Sequence, residues 1–471
     1  MNFKIVRWVL IFIGMQILTL SIIGGYSLFL KAEEENGIFA MNKTLISVKN
    51  SQNKSSKAFF TLEDINELSE YSITFTAAFS AETANGTANI IGTNSAYINF
   101  NDLKFSSGSF FGKTADIDGE KVAVIDEKLA WNEFGSIKAV GNTLEISGEK
   151  FKILGVISED KSIAGLLSGS GLPNAFIPVK ALPELEKTAK INSLQIQNND
   201  TTLSGQNLST ASNILNTVSK APEDYYISDL NIKRVVIEQK PRIIVFFIGL
   251  VCIFTILITI INKAKGILFF IKNKVKTDYI INILRDHKKI IIFRLFELPL
   301  LLAVIILILG IIRFDIYIPP EFLPKKLIDF NFYWDLFKKS IEEGNLNRGY
   351  IPSLTEIKLN SILLLSNRLF FSGLFIGFPI LFTTLKYSRI GSNHFNKEFL
   401  MLCIIFTISI GLSSSIVFIS GMTLKLHITD LALLFSFNYI FLIKNLFENG
   451  KDKVNNNEKN MPYCHDGADS V

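Results

Sequence analysis

One apolar run, residues 8–30, stands apart from a cluster of further apolar runs that begins after Pro241, and the water-soluble stretch from Lys31 to Lys240 lies between them. That spacing constrains the fold more than any single residue. A helix needs about 20 apolar residues to cross the ~30 Å hydrocarbon layer of a bilayer. By that measure, runs 8–30, 243–261, 290–312, 369–385, 399–419 and 428–443 are crossings, about six in all. The intervening stretch must then be a domain folded on one side of the membrane. The fourth run contains Pro379 and follows another apolar run, 362–365, behind Asn367 and Arg368, so an earlier start would bury that arginine.

Composition agrees with a protein of mixed character. Hydrophobic residues make up 48% and charged residues 19%, so soluble parts carry the charge. The net charge of +5 comes from lysine-rich loops beside the spans, which argues against a nucleic-acid partner. Cys252 and Cys403 fall in apolar runs and Cys464 in the tail, leaving the large domain without a disulfide framework or cysteine metal site. The first run exceeds the roughly 7 to 15 residues of a signal-peptide core and lacks a small-x-small site before Lys31, so it reads as a retained anchor.

Basic residues set the orientation. Lys4 and Arg7 precede the first span, Lys263 to Arg294 crowds the stretch between the second and third, and 386–397 is basic again. The Lys/Arg bias of short loops therefore places both termini inside and the large domain outside.

The large domain, residues 31–240, reads as mixed α and β. Strands are expected at 45–48, 72–79, 122–125, 144–146, 151–157, 175–177, 193–197 and 232–237. Helices are expected from Thr61, with Asp64 at capping-box distance, at 127–134 ending on Gly135, and at about 205–219. Ser147-Gly148 reads as a hairpin turn, and the Ser/Gly-rich stretch 162–171 as a mobile loop.

Within this domain "YINFNDLKFSSGSFF", "KVAVIDEKLAWNEFG", "VGNTLEISGEKFKILGVI" and "NAFIPVKAL" follow in order. They resemble the periplasmic core domain of MacB/FtsX-type ABC transporter permeases, with Gly108, Phe111, Phe134, Gly135, Gly141, Gly148, Gly155, Val156, Ile177 and Pro178 at the matching positions. The residues themselves serve turns and core, and supply no chemistry.

The basic loop 263–289 carries a second likeness. "TDYIINILRDHKKIIIFRLFELPLL" is similar to the family's stretch in which a short amphipathic helix docks on a partner ATPase. The resemblance implies an ATPase-coupling role for Tyr279, Ile280, Ile283, Leu284, Arg285, Lys288 and Lys289. At helical spacing, Tyr279, Ile280, Ile283 and Leu284 share one face, and the cations follow at its C-terminal end. The chain departs from the family where Glu-Ile-Gly reads Ile280-Ile281-Asn282. A basic interfacial helix held by anionic lipid is the competing reading.

Glu297 follows Arg294 by one helical turn, so an interfacial i to i+3 pair is expected there, and Lys425 and His427 read as solvated turn residues. Residues 314–367 read as an outer insertion and 368–446 as spans four to six. The Asn-rich tail from Glu448 reads as disordered.

Enzymatic machinery is missing from the sequence: there is no phosphate loop, no His-Glu-x-x-His, and only four histidines. The resemblance implies a permease subunit with no cofactor on this chain, ATP and Mg being held by a separate cytoplasmic ABC ATPase. Further partners are a second permease copy or related permease, and membrane lipid. Export or extraction of a lipophilic or peptidic substrate is one function. Regulating a cell-wall hydrolase or sensing an antimicrobial peptide without transport is another, and an anchored adhesion module a third.

Overall fold

The computed structural model describes residues 3–49, 58–169, 171–185, 190–198, 206–275, 288–318, 323–324, 329–336, 338, 352–388 and 395–459. The large domain is built on one mixed sheet. Its strands are β1 (Lys43–Val48), β2 (Ile73–Thr83), β3 (Gly86–Thr93), β4 (Phe105–Gly108) and β5 (Val122–Asp126), then β6 (Thr143–Ile146), β7 (Glu149–Ile157), β8 (Asn174–Pro178), β9 (Ser193–Gln197) and β10 (Tyr225–Asp229). They run in the order β10-β1-β9-β2-β3-β8-β5-β7-β4, with β6 pairing β2 and β7. The β3–β8 and β5–β7 pairs are parallel and the rest antiparallel.

Both faces of this sheet are covered. Neighbouring residues of one strand point to opposite faces, so Ile90, Ile125 and Ile177 enter one core while Ile91, Val124 and Phe176 enter another. That is why these strands read as continuous apolar runs with no alternation. β3 lacks such a run at its start, Gly86-Thr-Ala-Asn, and escaped the sequence reading.

Helices of the membrane region are long. α1 (Phe3–Glu34) enters the domain. Inside the domain lie α2 (Leu62–Glu67), with the expected Thr61–Asp64 capping box, α3 (Glu127–Phe134), ended by Gly135 at φ +64°, α4 (Ile163–Ser168) and α5 (Gln206–Thr217). α6 (Leu230–Lys274) and α7 (Lys288–Ile312) follow. α8 (Leu354–Ser372) continues through a π-helical turn, Gly373–Gly377, into α9 (Phe378–Lys386), and α10 (Phe395–Ile419) and α11 (Ile428–Lys459) complete the set. Five helices among the described residues are long and apolar enough to span a bilayer, with Phe296–Ile312 of α7 a shorter apolar sixth.

Several expectations are corrected. Residues 232–237 are helix and not strand: the last strand is β10, after which Asp229 caps α6 by accepting from Asn231 N. Ile237 is buried in one cluster with Leu28, Phe29 and Ala32 of α1, while 232–236 are half-buried. The stretch 162–171, expected to be a mobile loop, contains α4, capped by Ser162 accepting from Gly165 N. The helix that carries the fourth apolar run starts at Leu354, ahead of 369, because Ser353 and Glu356 form a capping box. The tail past Glu448, expected to be disordered, continues α11 to Lys459.

Small residues let the helices approach α1. A Cβ on Gly373 would meet Ser21 at 2.7 Å, one on Gly377 would meet Ile17 at 2.9 Å, and one on Gly14 would lie 2.9 Å from the backbone nitrogen of Leu381. Around these contacts Met15, Leu18, Ile22, Ile248, Leu381 and Phe437 form a continuous buried core.

Candidate transmission junction

The residues that tie the large domain to the membrane helices come from three places. β1 follows α1 after a short turn, β10 runs directly into α6, and Thr44 stands opposite Asp229 in the sheet. Antiparallel pairing of the first and last strands thus brings both membrane connections to one end of the sheet. Asn198 and Asn207 donate to the Asp229 carboxylate at 3.2 and 2.9 Å, which locks the strand-to-helix corner.

α8 supplies the third tie, one that the sequence reading missed. Its first turn is buried against the domain. Gln195 Nε2 donates to Thr355 Oγ1 at 3.1 Å, Thr355 Oγ1 donates to Asn101 Oδ1 at 2.6 Å, and Ser47 Oγ donates to Glu356 Oε2 at 3.1 Å. The signal was present in the sequence as Ser353-Leu-Thr-Glu356 ahead of an apolar run.

Charge binds the same seam. Lys31 lies 2.6 Å from Glu35 and 3.1 Å from Asp160, and Lys358 lies 2.7 Å from Glu35. Arg234 of α6 lies 2.5 Å from Glu33 of α1. Burial opposes ionisation of Asp160, but hydrogen bonds from the Ser162 backbone and side chain, together with Lys31, hold its carboxyl down at about 2. α4 is pinned beside it, with Ile163 N donating to Ser420 O at 3.1 Å in the α10–α11 turn.

Lys43 is a different kind of feature. It is fully buried, donates to the carbonyls of Phe100 and Asn36, and lies 5.9 Å from the Phe100 ring. Burial lowers its ammonium to about 7, and among the described residues no carboxylate lies beside it to restore the charge.

One level deeper, Tyr26 of α1 donates to Asp430 of α11 at 2.6 Å, and the His427 ring stacks on Tyr26 at 4.2 Å. Lys425 stands 5.3 Å from the Phe29 ring. His427 and Lys425 are therefore packed on α1 and are not free turn residues. At the opposite end, Glu297 pairs with Lys263 at 2.5 Å across two helices, and the side chain of Arg294, its expected partner, lies outside the described residues. The Lys263 ammonium reaches Glu297 because α6 stays helical to Lys274.

Of the coupling residues, Tyr279, Ile280, Ile283, Leu284 and Arg285 lie outside the described residues. Lys288 and Lys289 open α7, and their side chains are likewise outside the description. The family-pattern residues behave as turns and core. Gly108 has φ +71°, and a Cβ there would meet Leu154 O at 2.0 Å; Phe111, Val156 and Ile177 are buried.

Residues 9–213 match the family model described as the MacB-like periplasmic core domain. An uncharacterized ABC transporter permease, YknZ, of Bacillus subtilis (strain 168) is 29% identical over 110 residues, 23% of this chain and 27% of that protein. The match thus spans about a quarter of that relative's length. Among solved structures, the periplasmic region of MacB from Actinobacillus actinomycetemcomitans aligns at 19% identity and TM-score 0.34, covering 42% of this chain and 92% of that one. The extracellular domain of the noncanonic ABC-type transporter YknZ from Gram-positive bacteria aligns at 21% identity and TM-score 0.32, covering 40% and 100%.

Proposed function

We propose that this chain, which belongs to the MacB/FtsX-type ABC permease family, is the membrane subunit that carries ATP-driven motion of a separate ATPase to its outer domain. The observation that supports this reading is α6. It is one unbroken helix of 45 residues, Leu230–Lys274, about 67 Å long at 1.5 Å per residue. It begins at the sheet with no linker and passes the membrane into the basic stretch. A continuous helix of that kind, in which Pro241 removes one backbone hydrogen bond, carries displacement at one end to the other. α1 and the first turn of α8 hold the same end of the domain, so the three helices move it as a body.

In this reading the termini are inside and the domain outside, following the basic loops. Residues 279–289 dock on the ATPase, with Tyr279, Ile280, Ile283 and Leu284 on the apolar face and Arg285, Lys288 and Lys289 supplying cations. A second permease copy, or a related one, completes the assembly. The motion serves export or extraction of a lipophilic or peptidic substrate.

The test is affinity purification of the complex from native membranes, read for a co-purifying ATPase. Recovery with the unaltered chain and loss with Leu284→Asp and Arg285→Glu supports the coupling. Absence of any ATPase under gentle solubilisation overturns it and leaves an anchored scaffold.

A further inference from the structure

The membrane region has a polar level at each end. On the domain side, Gly24 of α1 packs on Leu369, Gly25 packs on Pro241, and Tyr26 bonds Asp430. α8, α6 and α11 therefore pass into their apolar stretches at one height, beside Arg368, Arg242 and Asp430. On the far side Arg7 pairs with Glu398 and Lys263 with Glu297. From Arg368 to Lys386 the helix rises about 27 Å, close to the ~30 Å of a bilayer core. Arg368 stands at the height of lipid headgroups.

At that height the outward face of α8 carries an open groove of about 640 Å³. Asn360, Asn367 and Arg368 line its polar end; Phe371, Phe375 and Ile376 line the end that lies in the apolar layer. The apolar residues are exposed, at 54%, 66% and 51%. Among the described residues, none of the three polar side chains has a hydrogen-bond or ion-pair partner. The opposite face of the same helix, at Gly373 and Gly377, is already packed on α1.

A guanidinium on a lipid-facing helix is costly unless it meets an anion or headgroup water. A second copy seated here with the two-fold axis at Arg368 would set that residue against its own image, a like-charge contact that opposes self-association in that register. The complement of a cation above an apolar wall is an anion above acyl chains. We propose that this groove binds an anionic phospholipid of the domain-side leaflet, its phosphate on Arg368, its headgroup against Asn367 and Asn360, and an acyl chain along Phe371, Phe375 and Ile376. The site needs no ATPase, so its failure and the failure of the coupling model are separate results.

The full chain carrying Phe375→Trp, with the native Trp8, Trp131 and Trp334 replaced by Phe and reconstituted in vesicles, reports the occupant through quenching by brominated lipid. At equal mole fraction, brominated phosphatidylglycerol is expected to associate about five-fold more strongly than brominated phosphatidylcholine, the preference one basic residue provides near an anionic headgroup. Adding Arg368→Gln is expected to abolish the difference and Arg368→Lys to keep it. Equal quenching by the two lipids, or a preference that survives Arg368→Gln, overturns the proposal. Absence of quenching by either lipid also overturns it, because protein then covers the groove.

Discussion

The ammonium of Lys31, at the domain end of the first membrane helix, lies 3.1 Å from the carboxylate of Asp160, on the loop that follows β7. Glu35 shares the same ammonium at 2.6 Å and passes its other oxygen to Lys358 at 2.7 Å. One ion cluster therefore joins the domain, α1 and α8. Such a cluster resists sliding of any one of the three against the others, as the proposed transmission role requires.

Asp160→Asn is expected to destabilise the protein by about 1–3 kcal/mol, the usual range for a hydrogen bond to a charged group. The folded carboxyl is depressed to about 2, so its stabilisation is present above the ordinary carboxyl range and lost as pH falls toward 2. Denaturation midpoints of the full chain in detergent between pH 5 and 3 check this. The parent should lose stability through this group, and the asparagine variant should show a shallower fall.

Lys43 predicts the opposite slope. Its folded value is lowered to about 7 against an ordinary 10.5, so the unfolded chain binds more protons between those values and stability rises with pH across that window. Below about pH 7 both states are protonated and this contribution is constant. Lys43→Met, which keeps the chain length without the charge, should flatten the rise between pH 7 and 9 in the same denaturation series.

Packing against α1 is tested at two glycines. Gly14→Ala sets a Cβ 2.9 Å from Leu381 N and 3.1 Å from Leu381 Cα, backbone atoms that cannot swing away, and is expected to cost roughly 1–3 kcal/mol. Gly411→Ala meets nothing within 4 Å and is expected to be neutral or slightly favourable. Thermal unfolding of the two variants in one detergent separates them.

Within the domain, Gly108→Ala combines φ +71° with a Cβ 2.0 Å from Leu154 O, whereas Gly148→Ala has φ +90° and open space. Both carry the cost of a left-handed backbone, of order 1–2 kcal/mol. Only the first must also displace the β4–β7 edge, so its loss of stability should be the larger in chemical denaturation.

Local chemistry made much of this protein legible in advance. The spans at 8–30, 243–261, 290–312, 399–419 and 428–443 each lie within an apolar helix, because bilayer thickness imposes a length that composition alone reveals. Turn and cap residues placed α2, α3 and the β6–β7 hairpin, because Thr61, Gly135 and Gly148 satisfy backbone groups within a few residues of themselves. The ordered glycines and aromatics from Gly108 to Pro178 carried the family. Tertiary structure decided the remainder. Residues 232–237 follow the Asp229 cap into a helix whose Ile237 packs on α1, and α4, within the expected loop, is tied to the distant Ser420 carbonyl. The pairing of Glu297 with Lys263, on a neighbouring helix, likewise came from packing. The junction itself, Lys31 with Asp160, Thr355 with Asn101 and Tyr26 with Asp430, joins residues far apart in the chain, and no local pattern encodes which distant surfaces close upon one another.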